Sequence, residues 1–176
     1  AWVLVAFTQV RVALRLGMLP QKIANKLPTL SVLIPACNEQ STLTEALKSV
    51  LAVDYPGLEI VLVNDRSSDA TGDLMESLAA GDERVKVVHI QQLPPHWLGK
   101  THALQVASRA ARGEWLLFTD ADVHFEPQAL KRAVTLALER NLDHLCLGPR
   151  LVCGTFWEKI FVGFFCTAFL SRYRPD

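Results

Sequence analysis

The sequence carries no excess charge of either sign: 18 Lys and Arg stand against 18 Asp and Glu. No global field therefore argues for a nucleic-acid partner. None of the four cysteines (Cys37, Cys146, Cys153, Cys166) belongs to a C-x-x-C pair. They read as small buried hydrophobes in a reducing compartment, not as zinc ligands or a disulfide framework. No G-x-G-x-x-G follows the first strand-like run, which disfavours a dinucleotide oxidoreductase. Internal repeats and low-complexity tracts are missing too, as is an apolar run of about 20 residues, the length that crosses a bilayer.

Acidic residues are absent before Glu39, whereas Arg11, Arg15, Lys22 and Lys26 follow an opening, AWVLVAFTQV, that is apolar except for Thr8 and Gln9. Basic residues after an apolar segment suggest the cytoplasmic side of a membrane. A secretory signal would place them before it. Residues 1–27 are thus expected to be a membrane-proximal segment, the alternative being an amphipathic helix packed on the domain. The C-terminal stretch 151–176 is read the same way. Ile160 to Leu170 carries no formal charge and Arg172 and Arg174 lie beyond; it is too short to span and suits an interfacial segment or a buried helix. The expected location is the cytoplasmic face of the cell membrane.

Between these ends, 28–150 is long enough for one hydrophobic core. LSVLIP (Leu30 to Pro35) is a strand, followed by a helix with Leu43, Leu47, Val50 and Leu51 on one face. EIVLV (Glu59 to Val63) is a second strand, and Ser68-Asp69 can cap a helix running to about Leu78. VKVVHI (Val85 to Ile90) makes a third. Gln91 to Gly99 is a loop, Thr101 to Ala111 a helix with Leu104, Ala107 and Ala111 on one side. Trp115 to Thr119 is a buried fourth strand. Pro127 opens a helix whose Leu130, Val134, Ala137 and Leu138 face inward, and His144 to Leu147 is a fifth strand. This alternation predicts an α/β domain with a mainly parallel sheet covered on both faces.

In such sheets ligands gather at the carboxyl ends of the strands. Asn38, Glu39, Asp65, Asp120 and Asp122 all fall there, and Lys100 opens the helix before strand four. In an extended segment residues i and i+2 point to the same side, so Asp120 and Asp122 are expected to face one space. Two such charges about 6 Å apart repel by roughly 3 kcal/mol at an effective dielectric near 20. A divalent cation with oxygen ligands, Mg²⁺ or Mn²⁺, would offset that together with a ligand phosphate. The alternative is a pair of turn residues. A glycosidase pair is a poor fit, since those carboxylates flank the scissile bond.

LSVLIPACNE, EIVLVNDRSSDATGD and WLGKTHALQVASRAARGEWLLFTDADVHFEP, in that order, resemble the family 2 glycosyltransferases over Leu30 to Pro149. The likeness is strongest to bacterial, membrane-associated members acting on hopanoid- or carotenoid-type lipids. It implies a GT-A fold, here with its C-terminal part truncated, and inverting transfer of a sugar from a nucleotide-sugar, UDP-linked by expectation, to an acceptor hydroxyl, expected on a lipid. It also implies roles. Pro35, Ala36, Asn38 and Glu39 line the nucleotide pocket, Asp65 meets the base, and Gly99 and Lys100 border the phosphates. Asp120 lies toward the ribose and the metal, Asp122 holds the metal, and small Ala121 lets the backbone approach. The readings left for Glu39, Asp65 and Lys100 outside that role are helix N-terminal charge, turn residue and solvated lysine.

Two departures stand out. Asn64 replaces one of the usual acidic pair, and Arg66 stands where Gly is common. Family members also carry a later acidic general base and often Q-x-x-R-W, and neither is recognisable before Asp176, so no base is assigned and the fragment by itself is expected to be inactive. His124, Glu126 and Asp176 have no positional claim to that role, and His96 and His102 read as surface or satisfied histidines. The alternatives to a transferase are a non-catalytic nucleotide-binding domain and a sugar nucleotidyltransferase. The latter would want a Gly-rich, Arg- or Lys-bearing loop where PACNEQ stands.

Overall fold

The computed structural model describes residues 19–148, 150 and 152–172. The apolar opening therefore lies outside the described residues up to Met18. The chain forms two compact units, one being Pro20–Leu145 and the other including the residues from Cys146 onward.

The first unit holds four parallel strands, β1 (Leu30–Ala36), β2 (Leu58–Asp65), β3 (Val85–Ile90) and β4 (Trp115–Phe118), in the order β3-β2-β1-β4. Parallel neighbours need crossovers, supplied by α1 (Leu43–Leu51), α2 (Thr71–Gly81) and α3 (Gly99–Ala110), with α4 (Ala129–Glu139) following β4. Alternation along the strands divides the core. Val32, Ile34, Ile60 and Leu62 meet Leu43, Leu47 and Val50 of α1, Met75 of α2, and Leu130 and Val134 of α4. On the other face Leu33, Val61, Val63 and Ile90 pack on Ala103 and Ala107 of α3. Those alanines, four apart, give α3 a flat inner stripe that brings its backbone close to the sheet.

The turn into β4 requires glycine. A Cβ on Gly113 would lie 2.6 Å from the Ser31 backbone nitrogen. Its own N–H donates to Ser31 Oγ at 2.8 Å, while Ser31 Oγ donates to Glu59 Oε2 at 2.5 Å. These bonds fix β4 against β1 and so fix what emerges from its far end.

Several expectations change. β4 is one strand residue shorter than expected and is an outer strand, with Leu116 and Phe118 40% and 52% exposed, so it is not a buried strand. Beyond α4 no strand forms at His144–Leu147. An apolar run becomes a strand only where a ladder partner takes its N–H and C=O groups, and none among the described residues pairs with it. In α3 the inward residue is Ala103, not Leu104, and α4 buries Ala133 and Thr135 but leaves Leu138 41% exposed. Cys37 and Cys146 are exposed, Cys153 and Cys166 half-buried, and all four are free thiols. None is a buried core residue.

The second unit contributes α5 (Phe156–Arg172). Glu158 Oε2 accepts from the N–H groups of Gly154 and Thr155, which fixes its start. Phe156, Trp157, Ile160, Phe161, Phe164 and Phe165 are all exposed. The described residues contain no helix long and apolar enough to cross a membrane.

Candidate functional site

At their carboxyl ends β1 and β2 turn sharply through residues in the left-handed region, Asn38 (φ 57°) and Arg66 (φ 58°). That explains the glycine common at position 66 and makes the arginine a strained choice. The two loops knit reciprocally. The N–H groups of Asn38, Glu39 and Gln40 donate to Ser67 Oγ, Thr71 Oγ1 and Asp69 Oδ2. In return Asn38 Oδ1 and Gln40 Oε1 accept from the N–H groups of Ser68 and Ala70. Asp69 Oδ1 also accepts at 3.0 Å from the N–H of Thr71, the first residue of α2, while the N-cap position itself is Ala70 and carries no side-chain cap. Thr71's side chain, ahead of the N–H groups of Thr71 and Gln40, holds the Asp69 carboxyl below the usual range. Ser68 does not cap α2, because it serves Asn38.

Gln40, Ser67 and Thr71 thus join the site's framework, and the sequence reading missed them. Their only signal was polar residues clustered after two strands. Asn38 and Glu39 are engaged in the same framework. Glu39 Oε2 accepts from Thr42 Oγ1 at 2.8 Å and its carbonyl accepts the first N–H groups of α1. The helix-terminal role is therefore visible in the structure. Pro35 is half-buried and Ala36 buried, both lining the end of β1.

Asn64 shows why an amide stands in place of a carboxylate. Its Oδ1 accepts from the Ser67 N–H, and its Nδ2 lies 3.0 Å from His89 Nδ1. An aspartate could only accept. The network then assigns the His89 proton to Nε2, which lies 2.8 Å from Glu76 Oε1.

Asp65 is buried and paired with its neighbour. Arg66 donates from Nε to Oδ1 at 2.8 Å and from Nη2 to Oδ2 at 3.2 Å. The carboxylate in turn holds the guanidinium pKa above its ordinary value. Gly99, the first residue of α3, closes over this pair: a Cβ there would lie 2.8 Å from both Arg66 Nη2 and Asp65 Oδ2. The next residue, Lys100, donates to Asp120 Oδ1 at 2.5 Å. The first two residues of α3 therefore bridge the end of β2 to the segment after β4, with the helix's positive end between them.

Asp120 and Asp122 do not continue an extended strand. β4 ends at Phe118, and residues 121 and 122 form a turn, so strand alternation does not decide where they point. Both are exposed, while Ala121 between them is buried. The exposed Lys100–Asp120 pair adds little to stability; it leaves one carboxylate partnered by a lysine. No group of three or more His, Cys, Asp or Glu suited to a metal occurs among the described residues. Two exposed carboxylates fit Mg²⁺ or Mn²⁺ completed by water and ligand phosphate, not an all-protein cage. His96 is exposed in the left-handed region (φ 67°). His102 stacks edge-on to Trp97 at 5.4 Å, and its buried Nδ1 finds no hydrogen-bond partner among the described residues, so it is not a satisfied histidine.

A parallel sheet wrapped by helices, with its polar strand ends drawn together by α3, defines a nucleotide-sugar transferase fold of the GT-A type. The sequence profile described as Glycosyl transferase family 2 matches residues 31–172, and the chain belongs to that family. It is 32% identical over 127 residues to the poly(ribitol-phosphate) beta-N-acetylglucosaminyltransferase TarS of Staphylococcus aureus, covering 70% of this chain and 21% of TarS. The mannosyltransferase PcManGT of Pyrobaculum calidifontis, solved with GDP-Man and Mn²⁺, superposes with a TM-score of 0.61 at 28% identity, over 76% of this chain and 39% of that one. TarS 1-349 in complex with UDP gives 0.57 at 26%, over 72% and 38%. The chain spans from about a fifth to about half the length of the curated relatives it matches.

Proposed function

We propose that this chain carries the donor site of an inverting glycosyltransferase, which binds a nucleotide-sugar with a divalent cation and passes the sugar to an acceptor hydroxyl. The carrying observation is the start of α3. Gly99 seats on Asp65–Arg66, Lys100 reaches Asp120, and the helix's N-terminal N–H groups lie between. A nucleoside diphosphate laid along this line meets carboxylates for a metal at one end and polar groups for its base at the other. Bound there, Mg²⁺ or Mn²⁺ supplies Lewis-acid stabilisation of the leaving diphosphate. Lys100 adds positive charge, and Asp120 and Asp122 hold the cation. The resemblance implies a uridine donor, which the UDP complex of TarS supports; the GDP-Man complex of PcManGT supports a guanosine donor equally. The fold leaves the choice to residues at the base end.

The acceptor side of the proposal is a lipid at the cytoplasmic face of a membrane. Its support is α5, whose exposed Phe156, Trp157, Phe161, Phe164 and Phe165 suit an interface. A hopanoid- or carotenoid-type acceptor has only the sequence resemblance behind it.

Calorimetry with UDP or GDP tests the donor site. Binding is expected to need Mn²⁺ or Mg²⁺, and Asp122→Ala to weaken it at least about tenfold, or ~1.4 kcal/mol. Affinity unchanged by that substitution or by chelator removes the metal assignment.

A further inference from the structure

Strand order decides which end of the cleft meets the base. Asp65 ends β2 and Arg66 follows it, Asp120 and Asp122 follow β4, and β1 runs between. Two strand spacings, about 10 Å, separate these ends, which suits a nucleoside diphosphate with its phosphates at the carboxylates and its base at Asp65–Arg66.

Asp65 has little to offer that base. Its side chain is 6% exposed, both oxygens accept from Arg66, and Gly99 covers it. Arg66 keeps 36% of its side chain exposed. Nε and one Nη2 proton point at Asp65, so the other edge of the guanidinium, Nη1–H with the second Nη2–H, presents two parallel donors. Its left-handed backbone, φ 58°, is strain of the kind retained where a side chain has a task.

We propose that Arg66, held side-on by Asp65, reads the donor's base, and that its two-donor fork selects guanine over uridine nucleotides. Guanine offers O6 and N7 as adjacent acceptors. Uracil puts an N–H donor between its two carbonyls and offers no adjacent pair. The inference rests on the donor-site reading above and makes Asp65 a positioning residue.

The 176-residue chain is titrated with GDP, UDP and inorganic pyrophosphate, each with Mn²⁺. GDP is expected to bind about tenfold or more tighter than UDP. Arg66→Gly relieves the left-handed backbone but leaves the buried Asp65 carboxylate without its partner, so the melting temperature is expected to fall. It should bring GDP down to the level of UDP and leave pyrophosphate unchanged. Arg66→Lys keeps the charge but not the fork and should match Arg66→Gly in nucleotide preference. Equal or tighter UDP binding, restoration of GDP preference by lysine, or a loss for pyrophosphate as large as for GDP would each overturn the assignment. Failure of every nucleotide to bind overturns the donor-site reading as well; binding without base preference overturns this inference alone.

Discussion

Gly99 shows how one missing side chain organises a site. Its hydrogen occupies the space where a methyl would strike Asp65 Oδ2 and Arg66 Nη2. Arg66 can swing away, but Asp65 is buried and short and has nowhere to go. Gly99→Ala is therefore expected to destabilise the fold by about 1–3 kcal/mol in urea denaturation, the range of a small overpacking error. It should also weaken nucleotide binding, since the pair it disturbs lies at the base end. The sequence could mark Gly99 as part of a glycine-lysine motif. Its contact with residues 33 and 34 positions earlier depends on how α3 lands on the sheet.

At the scale of elements, the site is held by the lattice between the loops after β1 and β2. Thr71 is fully buried and its hydroxyl accepts from the Glu39 N–H at 2.9 Å. Thr71→Val keeps the shape and leaves that N–H without its acceptor, which costs about 1–3 kcal/mol when the group is buried. A urea melt should show the loss, and hydrogen exchange should quicken at Glu39 while β3 is unaffected. Strands and helices were largely legible, because alternation and 3.6-residue periodicity are local signals that burial enforces. β1, β2, β3 and α1 fall close to where these patterns put them. Patterns failed where pairing decided. The apolar run at His144–Leu147 found no ladder, and β4 looked buried because four apolar residues in a row do not reveal that one face lies open.

For the whole molecule, stability should be bounded by pH on both sides. Arg84 grips Asp82 with Nε and Nη2, the latter at 2.7 Å from Oδ2, and also reaches the Leu51 carbonyl. Hydrogen bonding to Arg84 holds the Asp82 carboxyl below its ordinary 3.8. A depressed folded value contributes stability that is present above the unfolded value and lost as pH falls through the folded one. Stability should therefore begin to decline below about pH 4, and Asp82→Asn should flatten that limb of the acid melt. On the alkaline side, burial ahead of the Glu114 charge pushes the Tyr55 hydroxyl to about 12. This contribution is intact below the unfolded value near 10 and is lost as pH rises toward 12. Tyr55→Phe should remove the alkaline dependence. It should also lower stability at neutral pH through the lost bond to the Pro28 carbonyl.

The sequence by itself determined the α/β class, the parallel order of its elements and the strand ends at which its polar residues collect. Burial periodicity and strand alternation are written into neighbouring residues, and crossover connections then place the carboxyl ends together. Only the tertiary structure decided what those residues do to one another. Asp65 pairs with Arg66, Asp120 with Lys100, and Asn38 and Glu39 join the loop lattice. These partnerships join residues as far as 32 positions apart or turn on a single left-handed dihedral. Neither leaves a periodic trace in the chain.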